Sequence, residues 1–245
     1  MLIVDFVLPS LVVCAGYLVL GVTGFGSALI IVPLLANYWP LTEVVVLAIL
    51  LDIPASILHS GLNLKQVQWR ELKRLLPGMI VGALIGLWLL GSLDKRWPLF
   101  FLGIYVVVVG ARALMPRKQP SSIPSSGWVH FAGGMVGVVE VMFATAGPIV
   151  VAWLQRRLGA VWEVRATVPV VMVLAGSIAV VVLLGNNQVE PDIIWPRWLW
   201  AIPIALLSVL MGNKVAGKIP PRVMGGIVAS LLMISGVSLI QHVFV

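Results

Sequence analysis

The sequence predicts an all-α integral membrane protein made of two inverted repeats of five segments each. Three observations predict it: composition, the spacing of apolar stretches, and a match between the two halves of the chain. Of 245 residues, 60% are hydrophobic and only 10% are charged, and mean hydropathy is +1.09. A soluble globular chain carries about 25% charged residues, so this one is not built to face water over most of its surface. Collagen, coiled coil, intrinsic disorder and a disulfide-stapled secreted scaffold are excluded because their compositional signatures are missing. The single cysteine, Cys14, has no internal disulfide partner and lies in an apolar run, where it packs as a small hydrophobe.

Apolar stretches fall at 3–21, 26–39, 44–61, 76–92, 97–115, 128–143, 147–154, 166–184, 194–211 and 223–241, ten in all. Most reach the roughly 20 residues a helix needs to cross about 30 Å of hydrocarbon, and strands are excluded as spans because alternating polarity is missing. The first stretch begins near Asp5 rather than a basic region and has no small-residue cleavage site, so no removable signal peptide is expected. Stretches 26–39 and 147–154 are short, and each follows a small-residue break, GVTGFG at 21–26 and FATAG at 143–147. Each is either a short span or a half-helix in a re-entrant hairpin with the segment before it, and both readings stay open here. The basic, semi-amphipathic stretch 63–76 reads as an interfacial lead-in to the next span.

The proline- and serine-rich linker 116–127 divides the chain into repeats at 1–115 and 128–245. At an offset of 126, Trp69, Pro77, Gly86, Gly91, Arg96 and Gly110 match Trp195, Pro203, Gly212, Gly217, Arg222 and Gly236. Earlier in the halves, Gly16 and Gly26 pair with Gly137 and Gly147 at 121, and Glu43 with Glu163 at 120. Such self-similarity marks a duplication.

Charge orients the two units. With both termini outside and every stretch reversing the chain, 13 of the 16 basic residues fall in inner loops and only Lys95, Arg96 and Arg197 outside. Asp5, Glu43, Asp94, Glu190 and Asp192 lie on the outer side, which satisfies the positive-inside rule. Both termini are therefore expected to be periplasmic, on a bacterial cytoplasmic membrane. A unit with an odd number of segments makes the repeats inverted, the architecture of secondary transporters with a solute site at the repeat interface. The net charge of +7 sits in short loops, which points to the lipid surface and an anionic solute as partners rather than nucleic acid.

The string AGYLVLGVTGFGSALIIVPLL at 15–35 resembles the first-half signature of the TauE/SafE family of sulfite and organosulfur anion exporters. GGMVGVVEVMFATAGPIVVAWL at 133–154 is similar to its second-half counterpart, and GALIG at 82–86 and GNKVAGKIPP at 212–221 extend the resemblance over essentially the whole chain. The resemblance implies a small permease for sulfite, sulfonates or related anions. The second loop has Ala144, Thr145 and Ala146 where the family is often richer in glycine.

The chemistry of the two breaks agrees with an anion. Where a helix begins inside the membrane, its first N–H groups lack partners and its end carries about half a positive charge, so an oxyanion is held without arginine. Thr23, Gly24, Phe25, Gly26 and Ser27 lead into one such helix, and Thr145, Ala146, Gly147 and Pro148 into the other, with Thr23, Ser27 and Thr145 as hydroxyl donors. The same glycines also permit close helix packing, and both uses stay open at this point. Gly82, Gly86, Gly133, Gly134 and Gly137, three or four apart, read as packing glycines.

Asp52 and Glu140 lie inside apolar runs. A charge there costs at least about 2.5 kcal/mol, so each is a candidate for proton coupling, protonated or facing a water-filled cavity. The bland alternative is structural: Asp52 bonding the helix near Pro54 through Ser56, and Glu140 bonding the neighbouring loop backbone. Trp39, Trp69, Trp97, Trp128, Trp153, Trp162 and Trp195 sit near segment ends and read as an interface belt. Glu43 and Glu163 read as caps of the helices they begin, and His59 and His130 as interfacial.

Three scattered histidines and one cysteine do not build a haem, iron–sulfur or zinc centre, and no H-E-x-x-H or G-x-S-x-G motif is present, so no cofactor, metal or catalytic residue is expected. A membrane enzyme is the weakest alternative. An accessory or scaffold subunit is the other, though it leaves two broken helices and two buried carboxylates without a use.

Overall fold

A computed structural model of the chain describes residues 6–60, 64–94, 96–115, 127–158, 161–186, 188–216 and 221–244. The expected N-terminal extremity and all of the 116–127 linker except Gly127 lie outside them. Ten α-helices follow in order: α1 Leu8–Thr23, α2 Ser27–Leu35, α3 Leu41–Ser60, α4 Trp69–Ser92, α5 Arg96–Leu114, α6 Trp128–Phe143, α7 Gly147–Arg157, α8 Val161–Gly185, α9 Pro191–Val215 and α10 Pro221–Phe244. No strand occurs among the described residues. By length and composition α3, α4, α8 and α9 are each able to cross a membrane.

One element differs from expectation. The basic stretch 63–76 is not a separate interfacial piece: only Leu64–Gln66 forms a short 3-10 turn, and Trp69 already opens α4. The apolar face of Leu72 and Leu75 is buried, which carries the helix through the basic residues without a break.

The two breaks fall where the glycine and small-residue loops stand. α1 stops at Gly24, whose φ of +85° is left-handed, and Gly26 at φ +97° turns the chain into α2. Glycine takes this region freely because it has no Cβ. α6 stops at Ala144, which at φ +55° is the one non-glycine residue with positive φ among the described residues. With 9 and 11 residues, α2 and α7 extend about 14 and 17 Å, roughly half of the hydrocarbon.

Packing crosses between the halves. α4 lies along α6, α1 against α9, α5 along α10 and α3 against α8. The α4–α6 contact is a glycine seam: a Cβ on Gly82 would stand 2.0 Å from the Gly134 carbonyl oxygen, and one on Gly137 2.1 Å from that of Met79. Small residues let backbones approach this closely where lipid offers no hydrophobic drive for association. Gly21 of α1 meets Gly212 of α9 in the same way. Along α5 and α10, Gly103 meets Gly236 and Gly110 meets Ala229, so those two helices run antiparallel.

Large apolar side chains such as Val81, Trp88, Phe131, Val181 and Leu207 point outward, as lipid-facing residues do. Trp69, Trp97, Trp128, Trp162 and Trp195 are exposed near helix ends, in keeping with a belt. Two of the predicted belt residues are packed against arginines. Trp153 is buried, with the Arg157 guanidinium over its ring, and Trp39 lies beneath the Arg197 guanidinium at 4.1 Å.

Candidate functional site

The breaks at 23–27 and 144–147 face each other. The Phe25 ring lies against Gly147, 3.3 Å from where a Cβ would project. Between them is a cavity of about 10 Å³, lined by Gly26, Ala28, Leu29, Asp52, Ala144, Thr145, Gly147, Pro148 and Met172. That is room for about one water-sized sphere. Two loops some 120 residues apart in sequence thus form one site, with Asp52 on its wall.

The polar groups are fixed by neighbours from several helices. Asp52 Oδ1 accepts hydrogen bonds from the Ser27 hydroxyl at 2.6 Å and the Tyr17 hydroxyl at 2.7 Å. Ser27 is the first residue of α2, so Asp52 stands at that half-helix's start; it does not bond Ser56 in the described contacts. Glu140 is buried in the last turn of α6, and its Oε2 accepts the Ala146 N–H at 3.2 Å. Gly176 of α8 faces that carboxylate and the α3 residues Ile49 and Ile53. The Tyr105 hydroxyl donates to the Thr145 carbonyl at 2.8 Å and holds the second loop from α5.

The three predicted hydroxyl donors have different positions. Thr23 lies within hydrogen-bonding distance of the Val19 and Phe25 carbonyls, so its proton is used inside its own turn. Ser27 donates to Asp52. Thr145 lines the cavity, and its buried hydroxyl has no partner among the described residues. Pro148 sits in the first turn of α7, where its missing N–H costs nothing.

The helix boundaries refine the register between the halves. Gly24 and Ala144 both end their helices in the left-handed region, and α2 and α7 begin at Ser27 and Gly147, each pair 120 apart. Gly26 therefore corresponds to Ala146 rather than Gly147. Asp52 corresponds to Met172, which lines the same cavity, and Glu140 to Leu20.

Tyr17, Tyr105 and Met172 were not singled out from sequence. The visible signal was a tyrosine deep inside an apolar run, since the hydroxyl of a buried tyrosine needs a partner. His59, near the end of α3, lies against Gly24. Glu43 and Glu163 occupy the first turns of α3 and α8 and reach across to other helices, Glu43 to Arg197 and Glu163 to Gln68. Glu71 pairs with Arg157 and Arg74. Among the described residues no cluster of three His, Cys, Asp or Glu side chains forms a metal site.

A bundle of apolar helices in which two half-helices meet at a small cavity walled in part by Asp52 and Thr145 has the architecture of a multi-pass membrane transporter. The chain matches the family model described as Sulfite exporter TauE/SafE over residues 9–239, and it belongs to that family. It is 58% identical over 200 residues to the Probable inner membrane transporter protein TsaS of Comamonas testosteroni, covering 81% of this chain and 83% of that protein. No solved structure matches it. The family and this relative are membrane transporters and not enzymes, which sets the enzyme alternative aside.

Proposed function

We propose that the chain is a secondary transporter of a small sulfur-containing anion, sulfite, a sulfonate or a related organosulfur compound, across the cytoplasmic membrane. The anion is bound between the starts of α2 and α7 and moved by alternating access with proton coupling through Asp52 and Glu140. The observation that carries this is the meeting of two half-helix N-termini at a cavity lined by Thr145, whose buried hydroxyl has no partner among the described residues. Unpaired N–H groups and the positive helix end suit an oxyanion, and Thr145 adds a donor. A cavity of about 10 Å³ is smaller than any such anion, so the substrate is admitted when the two breaks part.

Inverted repeats supply a way for them to part, because exchange of conformations between two like units converts an outward-open state into an inward-open one. The antiparallel α5 and α10 support this, being counterparts in the two halves. At the offset of 126, the Gly103–Gly236 contact maps onto Ala229–Gly110, as a two-fold relation requires.

The test is uptake of labelled sulfite and methanesulfonate by the purified protein in proteoliposomes. Uptake is expected, with methanesulfonamide, the neutral analogue, competing poorly. No uptake of either anion overturns the transporter reading in favour of an accessory subunit. Gly147→Val is the informative site variant: its φ is ordinary, and its side chain would press on Phe25 and close the gap, whereas Gly24 and Gly26 are left-handed and replacing them strains the backbone itself. Gly147→Val is expected to abolish anion binding in a protein that still folds. Asp52→Asn is expected to remove the dependence of uptake on a proton gradient, and unchanged dependence overturns its coupling role.

A further inference from the structure

We propose that the Glu140 carboxylate is a built-in competitor for the transported anion: it holds a main-chain donor at the start of α7 that the anion needs, and releases it on taking up a proton. The inference rests on the anion site proposed above and specifies how a proton and an anion come to be linked there.

The start of α7 has few donors to give. Pro148 has no N–H, and the Ile149 and Val150 N–H groups already bond the Ala146 carbonyl at 3.0 and 3.1 Å. The N–H groups of Ala146 and Gly147 are what the first turn can turn toward an anion, with the Thr145 hydroxyl beside them. Glu140 takes the first of these at 3.2 Å. The carboxylate is itself a small oxyanion on a tether, so it stands in for the substrate at a helix end built for negative charge.

The other half does the same with a different residue. Asp52 bonds the hydroxyl of Ser27, the first residue of α2. Asp52 and Glu140 are not counterparts in the duplication, since the positions that correspond to them hold Met172 and Leu20. Each break has nevertheless acquired a carboxylate, one from α3 and one from α6. A third negative charge between them is opposed by Coulomb repulsion in a medium that screens poorly, unless a carboxylate is neutralised as it arrives.

The surroundings leave few other groups to supply that change. Toward Glu140, α3 presents Asp52 and, further along, His59; α5 presents Tyr105, already bonded to the Thr145 carbonyl; and α1 presents Tyr17, bonded to Asp52. α2 has no titratable side chain, and the charged residues of α4, α7 and α8 lie toward one end of each helix. His130 is at the opposite end of α6. The proton comes from the aqueous phase to which the site is open, joins a Glu140 carboxylate oxygen, and makes a neutral carboxylic acid whose carbonyl is a far weaker competitor for the Ala146 N–H than the carboxylate and no longer repels the anion.

Calorimetric titration with methanesulfonate, in buffers of different ionisation enthalpy, tests this on the purified full-length protein. Methanesulfonate keeps its charge across the working range, so any proton taken up belongs to the protein. The parent is expected to take up protons with the anion and to lose affinity by up to about tenfold per pH unit as pH rises. Glu140→Gln is expected to take up one proton fewer, to have a correspondingly shallower pH dependence, and to bind at least about tenfold more tightly than the parent at the alkaline end. The same proton count and slope in Glu140→Gln and parent overturn the proposal. Gly147→Val separates the two levels: full affinity there removes the anion site itself, whereas lost affinity there together with unchanged proton uptake in Glu140→Gln overturns only the competition. Infrared difference spectra of the parent decide the matter if Glu140→Gln does not fold. Adding methanesulfonate is expected to raise a protonated-carboxyl stretch, and its absence overturns the proposal.

Discussion

Thr145 is the residue at which the proposed binding role and a purely structural role predict different outcomes. A buried hydroxyl with no partner costs about 1–3 kcal/mol of stability relative to an apolar group of the same shape. Thr145→Val is therefore expected to raise the melting temperature in detergent while weakening anion binding by about the 1.5–3 kcal/mol of one hydrogen bond to a charged group. Thermal unfolding and calorimetry on one preparation check both, and a loss of stability with unchanged affinity assigns Thr145 to packing. Its neighbour Ala144 is held left-handed, a conformation that costs an L-residue about 1–2 kcal/mol. Strain and an unpaired donor side by side are what a site looks like when stability has been given up locally.

At the scale of elements, the glycines divide into those that set helix approach and those that do not. Along α4, Gly82 is in backbone contact with Gly134 of α6, while a Cβ at Gly91 meets nothing within 4 Å. Gly82→Val is expected to force α4 from α6 and give a protein that elutes as aggregate from a sizing column. Gly91→Ala is expected to leave the fold intact and to add up to about 1 kcal/mol from helix propensity. Normal behaviour of Gly82→Val overturns the seam. The spacing of these glycines was plain in the sequence, but their partners were not: α4 finds its seam on α6 in the other half, not on its neighbour α5.

For the whole molecule, the ion pairs group as the charge pattern of the sequence does. The Glu43–Arg197 pair joins two residues expected from sequence on the outer side, and Arg74 and Arg157, both among the basic residues expected on the inner side, pair with Glu71. With Cys14 replaced by alanine, Asp94→Cys is expected to react with an impermeant maleimide on intact cells, and Arg70→Cys only after permeabilisation. Both positions are exposed. Labelling of Arg70→Cys from outside would reverse the inverted-repeat topology and the orientation of both termini.

The sequence by itself determined that this is a helical membrane protein, where its helices lie, where two of them break, and which residues in the apolar runs bear charge. These are local properties: hydropathy over a window, small residues at a turn, a carboxylate where none is cheap. The tertiary structure alone decided that the break at 23–27 opposes the break at 144–147, that Asp52 bonds Ser27 and Tyr17, and that Tyr105 secures the second loop. It also decided which hydroxyls are engaged: Thr23, Ser27 and Thr145 look alike in sequence, and only packing shows that the first two have spent their protons on the protein. The physical reason is that a hydrogen bond or a seam of glycines needs two partners, and here those partners lie in a distant helix, often in the other half of the chain, beyond the reach of any local pattern.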